Sequence, residues 1–123
     1  GVEAALIQVK RASGDTLNVR WRYHNGTHEE QTLFEGMSSW YTKYRLAADT
    51  YILDLENQKK HLVLRADGNP ITSQTTQDYG TLALEPGGTI NAWAKFPAPP
   101  STVETVSVYI SGVPPFEDVP ISD

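Results

Sequence analysis

Residues 86–100 read Pro86-Gly87-Gly88-Thr89-Ile90-Asn91-Ala92-Trp93-Ala94-Lys95-Phe96-Pro97-Ala98-Pro99-Pro100. Pro-Gly-Gly is a turn signal, because proline presets φ and glycine accepts the left-handed region. The next eight residues alternate. Ile90, Ala92, Ala94 and Phe96 share one face, and Asn91, Trp93 and Lys95 share the other. Period-two alternation of this length marks a half-buried strand. Pro97, Pro99 and Pro100 cannot donate to a ladder, so 97–100 reads as a corner between sheets. Beyond it, Val106, Val108 and Ile110 alternate within a second strand at 102–110, and Ser111-Gly112 turns the chain again. Pro114, Pro115 and Pro120 lack amide hydrogens, which confines the tail at 113–121 to a sheet edge and discourages pairing with other chains.

Upstream, the same logic gives the remaining strands. Ala5, Ile7 and Val9 alternate against Leu6, Gln8 and Lys10, and Leu17, Val19, Trp21 and Tyr23 alternate against Asn18, Arg20 and Arg22. A hairpin through Ser13-Gly14-Asp15 sets Val9 opposite Val19, Ile7 opposite Trp21 and Ala5 opposite Tyr23. Gln8 then faces Arg20 on the other side. A slip of one residue would put Val9 against Asn18, so the pattern fixes the register. Asn25-Gly26 reads as a turn in which both residues tolerate positive φ. A short polar edge strand follows at 29–34. Residues 37–47 fit strand, helix or loop, with aromatic richness favouring extended chain. A second hairpin, 51–55 with 61–64, turns around Asn57-Gln58-Lys59-Lys60, and in one register it sets Leu55 against Leu62 and Leu53 against Leu64. Asp67-Gly68-Asn69-Pro70 is a dense turn, 71–78 is a loop or edge strand, and Leu82 and Leu84 alternate within 81–85.

Seven to nine short strands, regular turns and no amphipathic helix predict an all-β fold: a two-sheet antiparallel sandwich. A chain of 123 residues is one ordinary domain, long enough to bury its own core. Gly1 reads as the remnant of a cleaved tag. With no cysteine, disulfides, thiolate metal sites and thiol nucleophiles are excluded. No apolar run reaches the roughly 20 residues that span a bilayer as a helix. The net charge is −5, unevenly spread: residues 66–123 carry Lys95 alone against seven acids. Such a half repels phosphate backbones, so nucleic acid is not the expected partner.

Part of the chain resembles a known family. Leu82-Ala83-Leu84-Glu85-Pro86-Gly87-Gly88, then Ala92-Trp93-Ala94-Lys95-Phe96-Pro97-Ala98-Pro99-Pro100, Val106-Ser107-Val108-Tyr109-Ile110 and Pro115-Phe116-Glu117-Asp118-Val119-Pro120-Ile121 carry the likeness. Lys60-His61-Leu62-Val63-Leu64-Arg65-Ala66-Asp67-Gly68 adds to it. Over about 50–121 the chain resembles immunoglobulin-like domains of bacterial exported proteins and lipoproteins, some of which stand beside OmpA-type peptidoglycan-binding domains. The resemblance implies an immunoglobulin-like sandwich and an extracytoplasmic place, in the periplasm or at the cell surface, with a lipid anchor in the full-length protein. It also implies a binding or spacer role toward an envelope protein or glycan. It brings no functional residue with it.

Candidate chemistry is thin. His24 and His28 stand four apart, a metal-ligand spacing on a helix only, and Asn25-Gly26 opposes a helix. Glu29, Glu30 and His61 would have to complete a zinc site, and a polar loop explains them more simply. Asp67, Asn69 and Asp78 could offer calcium oxygens, but turn chemistry accounts for them. There is no nucleophile elbow and no phosphate loop, and the adjacent acid pairs Glu29/Glu30 and Glu117/Asp118 would point to opposite faces of a strand. No enzyme, metal or cofactor is expected. Asn25-Gly26-Thr27 is also a glycosylation sequon. The aromatics are the better candidates. Trp21 belongs in the core, whereas Trp93 shares its face with Lys95 and is the preferred recognition residue, followed by Tyr109 and the cluster Trp40, Tyr41, Tyr44 and Tyr51. A monomeric binding module is expected. The alternative is a carbohydrate-binding module, which would show two coplanar rings exposed in a groove. Arg20, Arg22 and Lys10 form a basic ladder, either a solvated surface or a patch for acidic glycan.

Overall fold

The computed structural model of the chain describes residues 2–34, 44, 49–73, 82–110 and 112–123. The strands are β1 (Val2–Ala12), β2 (Thr16–Asn25), β3 (Gln31–Phe34), β4 (Tyr51–Asp54), β5 (Lys59–Leu62), β6 (Arg65–Ala66), β7 (Asn69–Pro70), β8 (Leu82–Leu84), β9 (Thr89–Pro97), β10 (Thr105–Tyr109) and β11 (Phe116–Pro120). Among the described residues these eleven exceed the expected seven to nine, because 65–70 contributes its own hairpin of two-residue strands and 29–34 finds a partner in β8. The fold is all-β, and the strands pair antiparallel as β1-β2-β9, β11-β10-β4-β5, β3-β8 and β6-β7. Among the described residues no helix is long and apolar enough to cross a membrane.

Alternation is what builds the core. Leu17, Val19, Trp21 and Tyr23 of β2 and Ala92, Ala94 and Phe96 of β9 point inward and are buried. Ile52 of β4 and Val106 and Val108 of β10 join them in one hydrophobic cluster, so the two larger sheets share a single interior. Burying such side chains contributes about 1.5–3 kcal/mol each, which makes this cluster the main source of stability.

The first hairpin keeps the expected register only near its turn. Val9 faces Val19 and Gln8 faces Arg20, but Leu6, not Ile7, faces Trp21, and Ala4, not Ala5, faces Tyr23. A β-bulge at Ile7 takes up one extra residue and turns the rest of β1 over. Ile7 is therefore 51% exposed instead of being in the core. Nothing in the run Ala4-Ala5-Leu6-Ile7 marks this change, because both faces of it are apolar.

The second hairpin also differs. Tyr51 pairs with Leu62, Ile52 with His61, Leu53 with Lys60 and Asp54 with Lys59. The turn occupies 55–58, earlier than expected. The buried Asp54 carboxylate accepts the backbone N–H of Asn57 at 3.1 Å and its side-chain amide at 2.7 Å, and Gln58 takes the left-handed conformation. Leu55 and Leu62 do not meet, and both are exposed.

The proline corner at 97–100 does connect β9 in one sheet to β10 in the other. Arg11 locks it from across the chain. Its guanidinium donates to the carbonyls of Pro99, Pro100 and Val103 at 2.8–2.9 Å. β11 lies at a sheet edge, in keeping with Pro120 at its end, and Ser122 bridges on to Lys10 of β1. The outer edge of β9 is covered in part by the chain after β5: Leu64 donates to Lys95, Lys95 to Ile71, and Ser73 to Trp93.

Candidate functional site

The outward face of β1-β2-β9 is set by strand alternation and, in β1, by the bulge. Cross-strand rows run Lys10–Asn18–Lys95, Gln8–Arg20–Trp93, Ala5–Arg22–Asn91 and Glu3–His24–Thr89. Trp93 is 41% exposed, opposite in sense to the buried Ala92 and Ala94 beside it. Its backbone is held from the flank, with Thr72 Oγ1 donating to its carbonyl at 2.8 Å and its N–H donating to Ser73 Oγ at 3.0 Å. The bulge delivers Ile7 to this same face. Ile7, Arg20, Arg22, Asn91 and Trp93 surround a cleft of about 330 Å3, floored by Trp21 and Ala92. Arg22 Nε donates to Asn91 Oδ1 at 2.9 Å, which orients both side chains over the cleft. Sequence reasoning found Trp93, Arg20 and Arg22 but missed Ile7, which it placed in the core.

Tyr109 does not share this surface. It points outward from β11-β10-β4-β5, where it stacks on Tyr51 with ring centroids 4.6 Å apart and planes 9° from parallel. Lys60 Nζ lies 4.1 Å from the Tyr51 centroid. β4 runs between β10 and β5, so Tyr51 has Tyr109 on one side and Lys60 on the other. These rings cover each other face to face and do not form a side-by-side platform. Of the remaining aromatic candidates, Tyr44 is half-buried, and Trp40 and Tyr41 lie outside the described residues.

The sequon position is structural. Asn25 is 0% exposed. Its side-chain amide donates to the carbonyls of Glu29 and Leu84 at 2.8 and 2.9 Å, and its Oδ1 accepts from the N–H and hydroxyl of Thr27. Its backbone exchanges two bonds with the Gly87-Gly88 turn. Neither Asn25 nor Gly26 has positive φ, so the expected Asn-Gly hairpin turn is an Asx-type turn instead. The amide nitrogen that a glycan would need is already used and enclosed.

His24 and His28 are exposed, with His24 Nδ1 3.2 Å from Thr89 Oγ1, while His61 lies on β5 of the other large sheet. Among the described residues no three His, Asp or Glu side chains gather where they could hold a metal. Asp67 and Gly68, both left-handed, form the tight turn between β6 and β7, while Asp78 lies outside the described residues. Comparison with protein families, curated proteins and solved structures gives no match for this chain.

Proposed function

We propose that this chain is a non-catalytic recognition module of the bacterial cell envelope. It is built as one immunoglobulin-like β-sandwich and binds through the outward face of β1, β2 and β9. The observation that carries the reading is Trp93: a large ring left 41% exposed on the edge strand β9, beside a cleft whose other apolar wall is made by a bulge. Burying an aromatic ring is a principal source of binding free energy, so a free one beside polar donors is a natural anchor. The sandwich reading is supported by two large antiparallel sheets that share one core. The envelope location rests on the resemblance of residues 50–121 to exported domains. The partner is an envelope glycan or protein, and the domain acts as a monomer.

The test is an NMR titration of labelled protein with soluble peptidoglycan fragments and envelope glycans, following the Trp93 indole N–H. Shifts confined to Ile7, Arg20, Arg22, Asn91 and Trp93 are expected. Shifts clustered instead at Tyr51 and Tyr109, or none with any envelope fraction, would end the assignment of this face.

A further inference from the structure

We infer that the outward face of β1, β2 and β9 takes an acidic polysaccharide, a sugar polymer bearing carboxylates; this rests on the face being the binding surface proposed above. Lys10, Arg20, Arg22 and Lys95 all project from it, against Glu3 at its far end. The whole chain has net charge −5, and Lys95 is the one base of residues 66–123. Folding brings that base beside three from the N-terminal strands.

These cations are not engaged in holding the fold together through ion pairs. Arg22 and Lys95 donate to the neutral amide oxygens of Asn91 and Asn18, at 2.9 and 2.8 Å. Among the described residues no carboxylate pairs with any of the four. Like charges set within a Debye length of one another raise the local potential and favour an anion from outside. A guanidinium is a planar fork that matches a carboxylate with two parallel hydrogen bonds. Arg20 and Arg22 stand two residues apart on one strand, about 7 Å by strand rise, so a repeated anion fits them better than a single one. Trp93 offers a flat ring to the apolar side of a sugar, with Ile7 as the second wall. The cleft of about 330 Å3 is at the small end of ligand sites, roughly 300–1,000 Å3. It has room for one sugar ring, while the rest of the polymer lies along the cationic rows. Single-stranded nucleic acid would also use charge and stacking, but it stacks successive bases on several rings. Among the described residues this face presents one large ring, Trp93, with the His24 imidazole at its far end.

Calorimetry and NMR with three probes test the inference at low ionic strength: an oligogalacturonate, a neutral oligosaccharide of the same length, and an oligodeoxynucleotide of matching charge. The oligogalacturonate is expected to bind, to weaken as salt rises, and to shift Ile7, Arg20, Arg22, Asn91 and Trp93. Arg20→Gln with Arg22→Gln should lower its affinity at least about tenfold, and the double lysine variant, which keeps charge but loses the fork, should fall between. These side chains are exposed, and an unchanged amide spectrum elsewhere certifies the fold of each variant. Equal, salt-insensitive binding of the neutral oligomer at this face would overturn the acidic inference and leave the binding face standing. Equal or tighter binding of the oligonucleotide would overturn the sugar. If none of the three disturbs the face, the inference and the surface beneath it both fall.

Discussion

The two large sheets treat their outward aromatics in opposite ways. On β11-β10-β4-β5, Tyr109 covers Tyr51 and Lys60 caps the same ring, so the aromatic surface is spent within the molecule. On β1-β2-β9, Trp93 has no ring partner among the described residues, and beside it Arg22 and Lys95 donate to neutral amides. Sequence alternation puts Trp93 and Tyr109 outside alike and cannot separate them. Whether a ring face is free, not whether the residue is outward, distinguishes a surface that can bind from one already satisfied. If that distinction is right, substitutions should divide cleanly into those that cost stability and those that cost binding.

Anchors beneath the open face should show the largest stability losses. Asn25→Ala removes four side-chain bonds and takes a buried donor from the carbonyl of Leu84. At about 1 kcal/mol per bond, urea unfolding should show a loss of about 3–4 kcal/mol. Asp67→Ala, in an exposed left-handed turn, should cost only about 1 kcal/mol. Next comes Arg11→Met, which keeps the aliphatic stem but takes a donor from three carbonyls at the proline corner, of which Pro100 keeps the Val103 N–H. A loss of about 2 kcal/mol is expected from denaturant midpoints, since part of that site can be rehydrated. Equal stability for Asn25→Ala and wild type would show that the open sheet is not anchored there.

The faces themselves should then exchange roles. Tyr109→Ala opens the Tyr51 stack and should cost about 1–2 kcal/mol of stability while leaving affinity for any ligand of the β1-β2-β9 face within about twofold. Trp93→Ala should do the reverse: stability within about 0.5 kcal/mol and affinity reduced about tenfold. Unfolding curves and titrations on the same two variants decide this, and a large stability loss for Trp93→Ala would mean its ring is structural.

What the sequence makes legible follows from what is local. Alternation in β9 identifies Ala92, Ala94 and Phe96 as core and Trp93 as surface, because each residue's face is fixed by its immediate neighbours. Val9 opposite Val19 is legible for the same reason. The bulge is not, since the run from Ala4 to Ile7 is apolar on both faces. Asn25-Gly26 and Asp67-Gly68 carry the same turn signal, yet only the second takes left-handed φ at both residues. The first is decided by partners at Glu29 and Leu84, and the latter lies 59 residues away. Arg11 at the proline corner and Lys95 beside Asn18 are likewise pairings across the chain. The three cations on one hairpin, Lys10, Arg20 and Arg22, are thus legible in the sequence, and Lys95, which folding sets beside them, is not.

The bulge offers the finest discrimination, because two physical reasons could place it there. β1 is a sheet edge, and a bulge twists an edge away from pairing with other chains. The same bulge also lifts Ile7 into the cleft beside Trp93. Deleting Ile7 restores an unbroken ladder, since Leu6 already faces Trp21 and Gln8 already faces Arg20. The inward side chains keep their places, so stability should stay within about 1 kcal/mol of wild type, whereas deleting Val9 would drive Gln8 into the core and cost far more. If the bulge serves the cleft, the Ile7 deletion stays monomeric by light scattering and loses several-fold in oligogalacturonate affinity. If it serves the edge, the deletion keeps its affinity and self-associates. The cationic rows are untouched in either case, so a change in affinity reports on the apolar wall alone.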